Sequence, residues 1–212
     1  MTSRRRFLHA SVAVAAAGAI GSIGTVFSSP RGTKSAASAG RLLQLHAVVV
    51  DQRFDESVEF GRELALLGAQ IYSMRGDVTD VWYSQLYPLW KAGGVAVAGL
   101  TGSGVLFCLE RLAWDHNLRV VYRGSHQRVT PDRIQHAMLG RVDWNTLSHD
   151  IASSDTTWPA AVAASIADME VPCPAVQTGQ MLRLACGTAL RDPGRATDSP
   201  LFSWVIAPPA RA

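Results

Sequence analysis

Residues 94–117, GVAVAGLTGSGVLFCLERLAWDHN, decide the fold class of this chain. The apolar run Gly94–Leu100 predicts a buried strand. The turn Thr101-Gly102-Ser103-Gly104 then begins a helix that extends to about Asn117. This helix is apolar nearly all round, which is typical of a helix covered on two sides. A buried strand followed at once by such a helix is the repeating unit of a parallel α/β sheet.

The same order of elements repeats on both sides of this unit. The patterns predict two strand–helix pairs before it and a fourth strand after it: Leu43–Val50 with Asp55–Leu67, Ala69–Met74 with Thr79–Lys91, and Leu118–Tyr122. Pro88 should kink the second helix or end it early. Three such units predict a three-layer α/β fold with a mainly parallel sheet, of the flavodoxin-like or Rossmann-like type.

The rest of the chain is less regular. We predict a helical segment over residues 129–170 and a late β-hairpin, or an antiparallel extension of the sheet, over residues 180–207. The helices are expected from Thr130 to just before Gly140, at Asp143–Ala152 and at Pro159–Met169, and the strands at Gln180–Cys186 and Leu201–Ala207. Residues 40–212 are thus predicted to form a single α/β domain.

The first 39 residues have the features of an export signal. Ser3-Arg4-Arg5-Arg6-Phe7-Leu8 resembles the twin-arginine (Tat) signal, whose pattern is S-R-R-x-F-L. The defining positions of this pattern are occupied by Arg4, Arg5, Phe7 and Leu8, and His9 stands where a Lys often follows. An uncharged segment rich in Ala and Gly runs from Ala10 to Phe27, and Ala37-Ser38-Ala39 is a small-x-small cleavage site.

We predict that this leader is cleaved after Ala39. An uncleaved membrane anchor is the alternative, because an apolar stretch of about 18 residues can just span a bilayer. The content of Ala and Gly and the site at Ala37 and Ala39 favour a cleaved signal, which leaves no stable membrane anchor. The resemblance implies the Tat translocase as a partner during export, folding before export and a periplasmic location.

The charge distribution gives no reason to expect nucleic-acid binding. Five of the 20 basic residues precede Gly40 and none of the 17 acidic residues does. The remainder therefore carries 15 basic and 17 acidic residues, a net charge near −2. A nucleic-acid-binding domain needs a basic surface, and here the basic character belongs to the leader.

Polar side chains follow four successive predicted strands. They are Asp51 and Arg53 after the first, Arg75 and Asp77 after the second, Thr101 and Ser103 after the third, and Ser125 and His126 after the fourth. Ligands of parallel sheets bind beyond the carboxyl ends of the strands, so these residues predict a site at this edge. The structural alternative is that turns are polar in any protein and that Asp or Ser there caps a helix.

The loop Gly99-Leu100-Thr101-Gly102-Ser103-Gly104 is the most informative part of this edge. Its glycines would let a backbone approach a ligand, and free N–H groups at the start of the helix favour an anion. We predict that Gly99, Thr101, Gly102, Ser103, Gly104, Arg53 and Arg75 bind a ligand. The loop is neither the dinucleotide fingerprint nor a P-loop nor a nucleophile elbow, so a tight turn capped by Ser103 is the alternative.

His126 is the best candidate for proton transfer, because an imidazole titrates near neutral pH. With Asp51 or Ser103 it would form the catalytic group of a small enzyme. The spacing of His126, His136 and His149 matches no zinc pattern, so we predict no metal site. The sequence identifies no cofactor.

Three cysteines remain. Cys108 lies in the apolar helix and is predicted to be a core residue. Cys173 and Cys186 flank a loop rich in proline, and an oxidising compartment would allow a disulfide between them. Most of the tryptophans should be core residues, although Trp82 and Trp90 are candidates to face a partner.

Two functional hypotheses follow. In the first, the chain is a non-enzymatic accessory subunit or binding module that works with a Tat-exported redox enzyme. In the second, it is a small periplasmic enzyme, for example a hydrolase, that uses His126 at the edge of the sheet.

Overall fold

A mixed β-sheet of seven strands organises the described part of the chain. The computed structural model describes residues 43–130, 133–140, 143–152, 156–169, 181–185 and 199–209. The twin-arginine motif, the predicted cleavage site and the pair Cys173 and Cys186 lie outside these ranges, so they stay predictions.

The elements follow the predicted order as far as the fourth strand. The strands are β1 (Leu45–Asp51), β2 (Gln70–Met74), β3 (Ala96–Gly102), β4 (Arg119–Thr130), β5 (Arg133–Leu139), β6 (Met181–Ala185) and β7 (Leu201–Ala207). The helices are α1 (Asp55–Leu66), α2 (Thr79–Val81), a π-helical segment (Trp82–Leu86), α3 (Tyr87–Ala92), α4 (Ser103–Asp115), α5 (Trp144–Ala152) and α6 (Trp158–Ala167). None of these helices of the described ranges is long and apolar enough to cross a membrane.

The sheet is mixed, in the order β2-β1-β3-β7-β4-β5-β6. β1 runs parallel to β2 and β3. The pairs β3–β7, β7–β4, β4–β5 and β5–β6 are all antiparallel. The α/β class is therefore confirmed, but the prediction of a mainly parallel sheet is wrong, because the parallel part ends at β3.

β7 lies in the middle of the sheet, between β3 and β4. The predicted late hairpin is therefore wrong, since β6 pairs with β5 and β7 pairs with neither of them. The reason is visible in the burial of Leu201–Ala207, where all residues except Phe202 are buried. A strand buried on both faces belongs at the centre of a sheet and not at its edge.

The helix predicted from Thr130 is a strand, β5, which pairs antiparallel with β4 in the register His126 to His136. Burial alternates along it, with Ile134, His136 and Met138 buried. This period of two is the pattern of a strand with one covered face. The two predicted helices after it are present as α5 and α6.

Helices cover both faces of the sheet. Phe60 of α1, Leu147 of α5 and Ile166 of α6 belong to one buried cluster. Leu109 of α4 belongs to the other, together with the π-helical segment and α3. We call these sides the α6 face and the α4 face.

The π-helical segment directly precedes Tyr87 and Pro88. Because Pro88 lacks an N–H, the turn before it widens and the helix continues instead of ending early.

Candidate functional site

The predicted edge residues lie at one end of the sheet. Gly102 on β3 pairs with Leu201 on β7, and Leu201 pairs in turn with His126 on β4. One residue earlier, Thr101, Phe202 and Ser125 are in register in the same way. Thr101 on β3 and His126 on β4 therefore lie at the same end of the sheet, with β7 between them.

The two residues nevertheless point to opposite faces. The indole Nε1 of Trp204 donates a hydrogen bond to Thr101 Oγ1 over 3.0 Å, and Trp204 packs in the cluster on the α4 face. The ring of His126 lies 4.4 Å from that of Trp158, centroid to centroid, and Trp158 belongs to the cluster on the α6 face. The sheet therefore lies between them, and they do not line one cleft.

Asp51 has a structural partner in its own turn. Its carboxylate accepts hydrogen bonds from Arg53 Nε at 3.0 Å and Arg53 Nη2 at 2.7 Å, and from the backbone N–H of Arg53 at 3.2 Å. The backbone N–H of Asp51 donates to Ser57 Oγ of α1 over 2.9 Å. Asp51 is fully buried, and its bidentate ion pair with Arg53 neutralises the charge of the carboxylate. The pair lies in the turn that joins β1 to α1. The predicted ligand residue Arg75 is exposed in the turn after β2.

The glycine loop divides into two parts. A Cβ added at Gly99 would lie 2.3 Å from Cζ2 of Trp204, so this glycine makes room for the indole. Gly102 is the N-cap of α4 and makes no side-chain cap bond, so Ser103 does not serve as the predicted cap. Ser103 and Gly104 are exposed at the start of α4, on the opposite face from His126. The predicted pairing of His126 with Asp51 or Ser103 is thus not formed among the described residues.

His126 belongs instead to a group of five side chains that we call the buried histidine cluster: Tyr122, His126, His136, Trp158 and Ser203. All five are buried against the α6 face. His126 Nε2 lies 2.7 Å from Ser203 Oγ, and His126 Nδ1 lies 2.7 Å from His136 Nδ1. Ser203 Oγ is also 3.1 Å from Tyr122 Oη, and the ring of Trp158 contacts both imidazoles, with ring centroids 4.4 Å from that of His126 and 5.3 Å from that of His136.

Two proton arrangements satisfy these three hydrogen bonds. In one, Tyr122 O–H donates to Ser203 Oγ, Ser203 O–H donates to His126 Nε2, and His126 Nδ1–H donates to His136 Nδ1. In the other, all three directions are reversed, so His136 Nδ1–H donates to His126 Nδ1, His126 Nε2–H donates to Ser203 Oγ, and Ser203 O–H donates to Tyr122 Oη. In both arrangements Ser203 joins Tyr122 to His126, and His126 uses both of its ring nitrogens.

Gly124 makes room for this cluster. A Cβ there would lie 2.5 Å from Ser203 Oγ, 2.9 Å from Tyr122 Oη and 3.2 Å from His126 Nε2. Any larger residue would enter the point where these three polar atoms meet. Two glycines on the strands that flank β7 thus serve two packing roles: Gly99 makes room for Trp204, and Gly124 makes room for the hydrogen-bonded groups of Ser203, Tyr122 and His126.

Burial decides what this cluster can do chemically. Burial, with a further contribution from the neighbouring His136, lowers the pKa of His126 well below its usual 6.5. Burial also raises the pKa of Tyr122, against an opposing effect of its hydrogen bond to Ser203. Tyr122 and His126 are therefore uncharged at neutral pH, and the buried indole nitrogen Nε1 of Trp158 has no hydrogen-bond partner among the described residues. Adding a proton to His126 would place a charge in the core.

The sequence interpretation missed a surface feature on the α4 face. Among the described residues, four aromatic side chains are exposed there: Tyr83, Tyr87, Phe107 and Trp114. Two cations stack on them, Arg111 at 4.1 Å from the ring of Trp114 and 5.3 Å from that of Phe107, and Lys91 at 5.6 Å from that of Tyr87. We call these six residues the aromatic surface. The spacing of Phe107, Arg111 and Trp114 was the signal that could have revealed it, since residues three and four apart share one side of a helix.

Three expectations change with this surface. Cys108 is exposed on α4 instead of lying in the core. Trp82 and Trp90 are buried and do not face a partner, whereas Trp114 is exposed. Trp82, Tyr87 and Trp90 all contact the ring of His116, which directly follows α4. These contacts join the π-helical segment and α3 to the end of α4.

Among the described residues, no group of three or more His, Cys, Asp or Glu side chains is arranged to hold a metal ion. Comparison of the chain with protein-family models, with curated proteins and with solved structures finds no match.

Proposed function

We propose that this chain is an exported accessory subunit or binding module that works with a Tat-exported redox enzyme in the periplasm. The observation that carries the binding role is the aromatic surface. The twin-arginine motif supports the compartment and the class of partner. The α/β domain acts as a rigid support that holds the helices of this surface in place.

The composition of the aromatic surface is that of a protein interface. Tyr, Trp, Phe and Arg are the residues enriched where proteins bind one another, and Trp, Tyr and Arg dominate the binding energy. Tyr83 is 70% exposed and Phe107 is 58% exposed. When a partner covers aromatic rings that are this exposed, their removal from water contributes favourably to the free energy of binding.

The stacked cations give the surface a defined shape. The guanidinium of Arg111 lies between Phe107 and Trp114, so all three side chains restrict one another before a partner binds. Less conformational entropy is then lost on binding, which increases affinity. Cation–π contacts of this kind contribute about 0.5–1 kcal/mol at exposed sites.

The alternative function, a small enzyme, has one observation in its favour. Ser203 Oγ and His126 Nε2 are 2.7 Å apart, as in a nucleophile and its base. Both groups are buried, however, and each is part of the bonded chain that includes Tyr122 and His136. The accessible aromatic surface therefore carries the proposal.

Export is tested at the leader. Replacing Arg4 and Arg5 together by Lys should leave the precursor in the cytoplasm, because the resemblance assigns recognition by the translocase to this pair. The wild-type chain should appear in the periplasm with Gly40 as its amino terminus. Fractionation, immunoblotting and amino-terminal sequencing measure both results. Wild-type amounts of the double variant in the periplasm would refute the Tat assignment, and an intact leader on the exported chain would favour the anchor.

The partner is tested with the double variant Phe107→Ala/Trp114→Ala. Each truncation of a central aromatic anchor costs about 2 kcal/mol or more, so binding should weaken by at least about thirtyfold. The tagged full chain is recovered from the periplasm of its native host, and the proteins that copurify are identified by mass spectrometry. We expect wild type to retain an exported oxidoreductase with its redox cofactor, seen by absorbance, and the variant to lose it.

The matched control is Val129→Ala/Leu139→Ala, which removes two other exposed apolar side chains from β4 and β5. It should retain the partner at the wild-type level. Equal capture by the aromatic variant and the control would contradict the proposed surface. Capture of a partner without any redox cofactor would contradict the proposed class of enzyme.

A further inference from the structure

We propose that two copies of this chain associate through β2, pairing antiparallel about a twofold axis at Tyr72 and continuing the sheet across both. This self-association is separate from the partner function assigned to the aromatic surface, which lies on α3, α4 and the π-helical segment. It follows from the hydrogen-bonding groups, side chains and charges at the β2 edge.

β2 is an edge strand of the described sheet, paired with β1 on one side. The carbonyl of Met74 accepts a hydrogen bond from the N–H of Gln52, so Met74 directs its backbone groups towards β1. Backbone direction alternates along a strand, so Gln70 and Tyr72 do the same. Ile71 and Ser73 therefore direct their N–H and C=O groups outward, away from the sheet. These four groups are the ones that an added strand would satisfy.

A second copy fits this pattern. With the axis at Tyr72, Ile71 lies opposite Ser73 of the other copy, and Ser73 lies opposite its Ile71. Both are outward-directed residues, so each pair exchanges two N–H···O bonds, and all four groups are satisfied in both copies. A shift by one residue would place an outward-directed residue against one that already bonds β1. A shift by two residues would pair Ser73 with Ala69 or Ile71 with Arg75, both of which lie outside β2. The axis at Tyr72 is thus the register in which every outward-directed pair lies within the strand.

The side chains and charges at the β2 edge also favour a second copy of the chain as the partner. No charged residue lies between Glu63 and Arg75, so two identical edges meet without repulsion between like charges. Tyr72 and Met74 belong to the cluster on the α4 face, so Ile71 projects on the side of α1. Ile71 is 44% exposed, Leu66 at the end of α1 is 76% exposed, and Leu67, the C-cap of α1, is 65% exposed. This edge has neither the Lys nor the Pro that commonly blocks strand addition.

Cross-linking tests the register directly. The full chain, with Cys108, Cys173 and Cys186 replaced by Ser, is prepared as Ile71→Cys and as Ser73→Cys. Opposite residues of a bonded antiparallel pair have Cα atoms about 5.5 Å apart, which suits a disulfide. Under mild oxidation, a mixture of the two variants should form a disulfide dimer, whereas each variant alone should not. A dimer formed by Ile71→Cys alone, or no dimer from the mixture, would overturn the proposal.

Mass measurement with the native cysteines provides an independent test. Light scattering of the wild-type full chain should show a species of twice the 22.8 kDa chain mass at high concentration. Ile71→Lys should raise the dissociation constant about tenfold or more, or about 1.4 kcal/mol, because a charge then enters the pairing edge. Leu139→Lys is the matched control, since Leu139 is exposed to a similar degree on β5, and it should leave the dimer unchanged. A wild-type monomer at every concentration, or equal effects of the two lysines, would overturn the proposal.

Discussion

Trp204→Ala should lower the free energy of unfolding by about 3–5 kcal/mol, the usual cost of removing a large aromatic side chain from a core. Trp204 is fully buried on β7, between β3 and β4. Its loss also removes the indole donor to Thr101 Oγ1. Denaturant unfolding at pH 7.5 measures the change, and the slope of the transition should stay the same if the fold is retained.

A second substitution tests why residue 99 is glycine. Gly99→Ala in the wild-type chain would place Cβ 2.3 Å from the indole of Trp204, an overpacking that costs about 1–3 kcal/mol. In the Trp204→Ala chain the indole is absent, so the added methyl group should cost much less or stabilise the protein. The difference between the two costs is the coupling free energy, for which contacting residues give about 0.5–3 kcal/mol.

The same cycle separates packing from ligand binding at this glycine. If Gly99→Ala destabilises both backgrounds equally, the indole is not the reason for the glycine. Gly102→Ala is the matched control, because no described atom lies within 4 Å of the Cβ it would add. Because Gly102 is the N-cap of α4, Ala there has its own cost, but that cost should be the same in both backgrounds.

Acid should destabilise the protein through His126. Its pKa is lower in the folded protein than in the unfolded chain, because burial and the neighbouring His136 oppose its charge. The unfolded chain therefore binds the proton more tightly, and unfolding takes up a proton. We expect full stability above about pH 6.5 and a loss of about 1.4 kcal/mol per pH unit below it, down to the folded-state pKa of His126.

His126→Gln should remove this part of the pH dependence while keeping a group that can bond Ser203. Its stability at pH 7.5 will be lower, so the slope below pH 6.5 is the measurement that decides. His149→Gln is the control, since the His149 side chain is 85% exposed and should leave the slope as in wild type. An unchanged slope in His126→Gln would show that another group controls the acid sensitivity.

The first half of the fold was predictable because its signals are local. β1, β2, β3, α1 and α4 follow from apolar runs, helical periodicity and glycine at turns. Val48, Val97 and Leu109 are completely buried, as their positions in those patterns require. β1 lies between β2 and β3, so three consecutive strands of the chain form this part of the sheet.

The second half depends on contacts distant in sequence. β7 pairs with β3 about one hundred residues earlier, and no local pattern shows that a strand will be inserted there. In β5 the alternation of Ile134, His136 and Met138 was hidden, because His136 counts as polar although it is buried. Thr130 and Pro131 then resembled the start of a helix.

The candidate site was predictable in position but not in composition. His126 and Thr101 lie at the same end of the sheet, but they point to opposite faces. Ser203, the hydrogen-bond partner of His126, lies on β7, a strand whose placement was not predicted. The aromatic surface, by contrast, lies on α4, α3 and the π-helical segment, and part of it has a local signal. A search for aromatic residues at helical spacing would have found Phe107 and Trp114.

The position of β7 has a consequence for how the protein is made. This strand follows every other described element in the chain, yet it joins the two parts of the sheet, β2-β1-β3 on one side and β4-β5-β6 on the other. During translation neither part has its central neighbour, and the indole that covers Gly99 arrives only when residue 204 does. The described sheet can therefore close only after residues 201–207 have been synthesised, and pairings so distant in sequence form slowly.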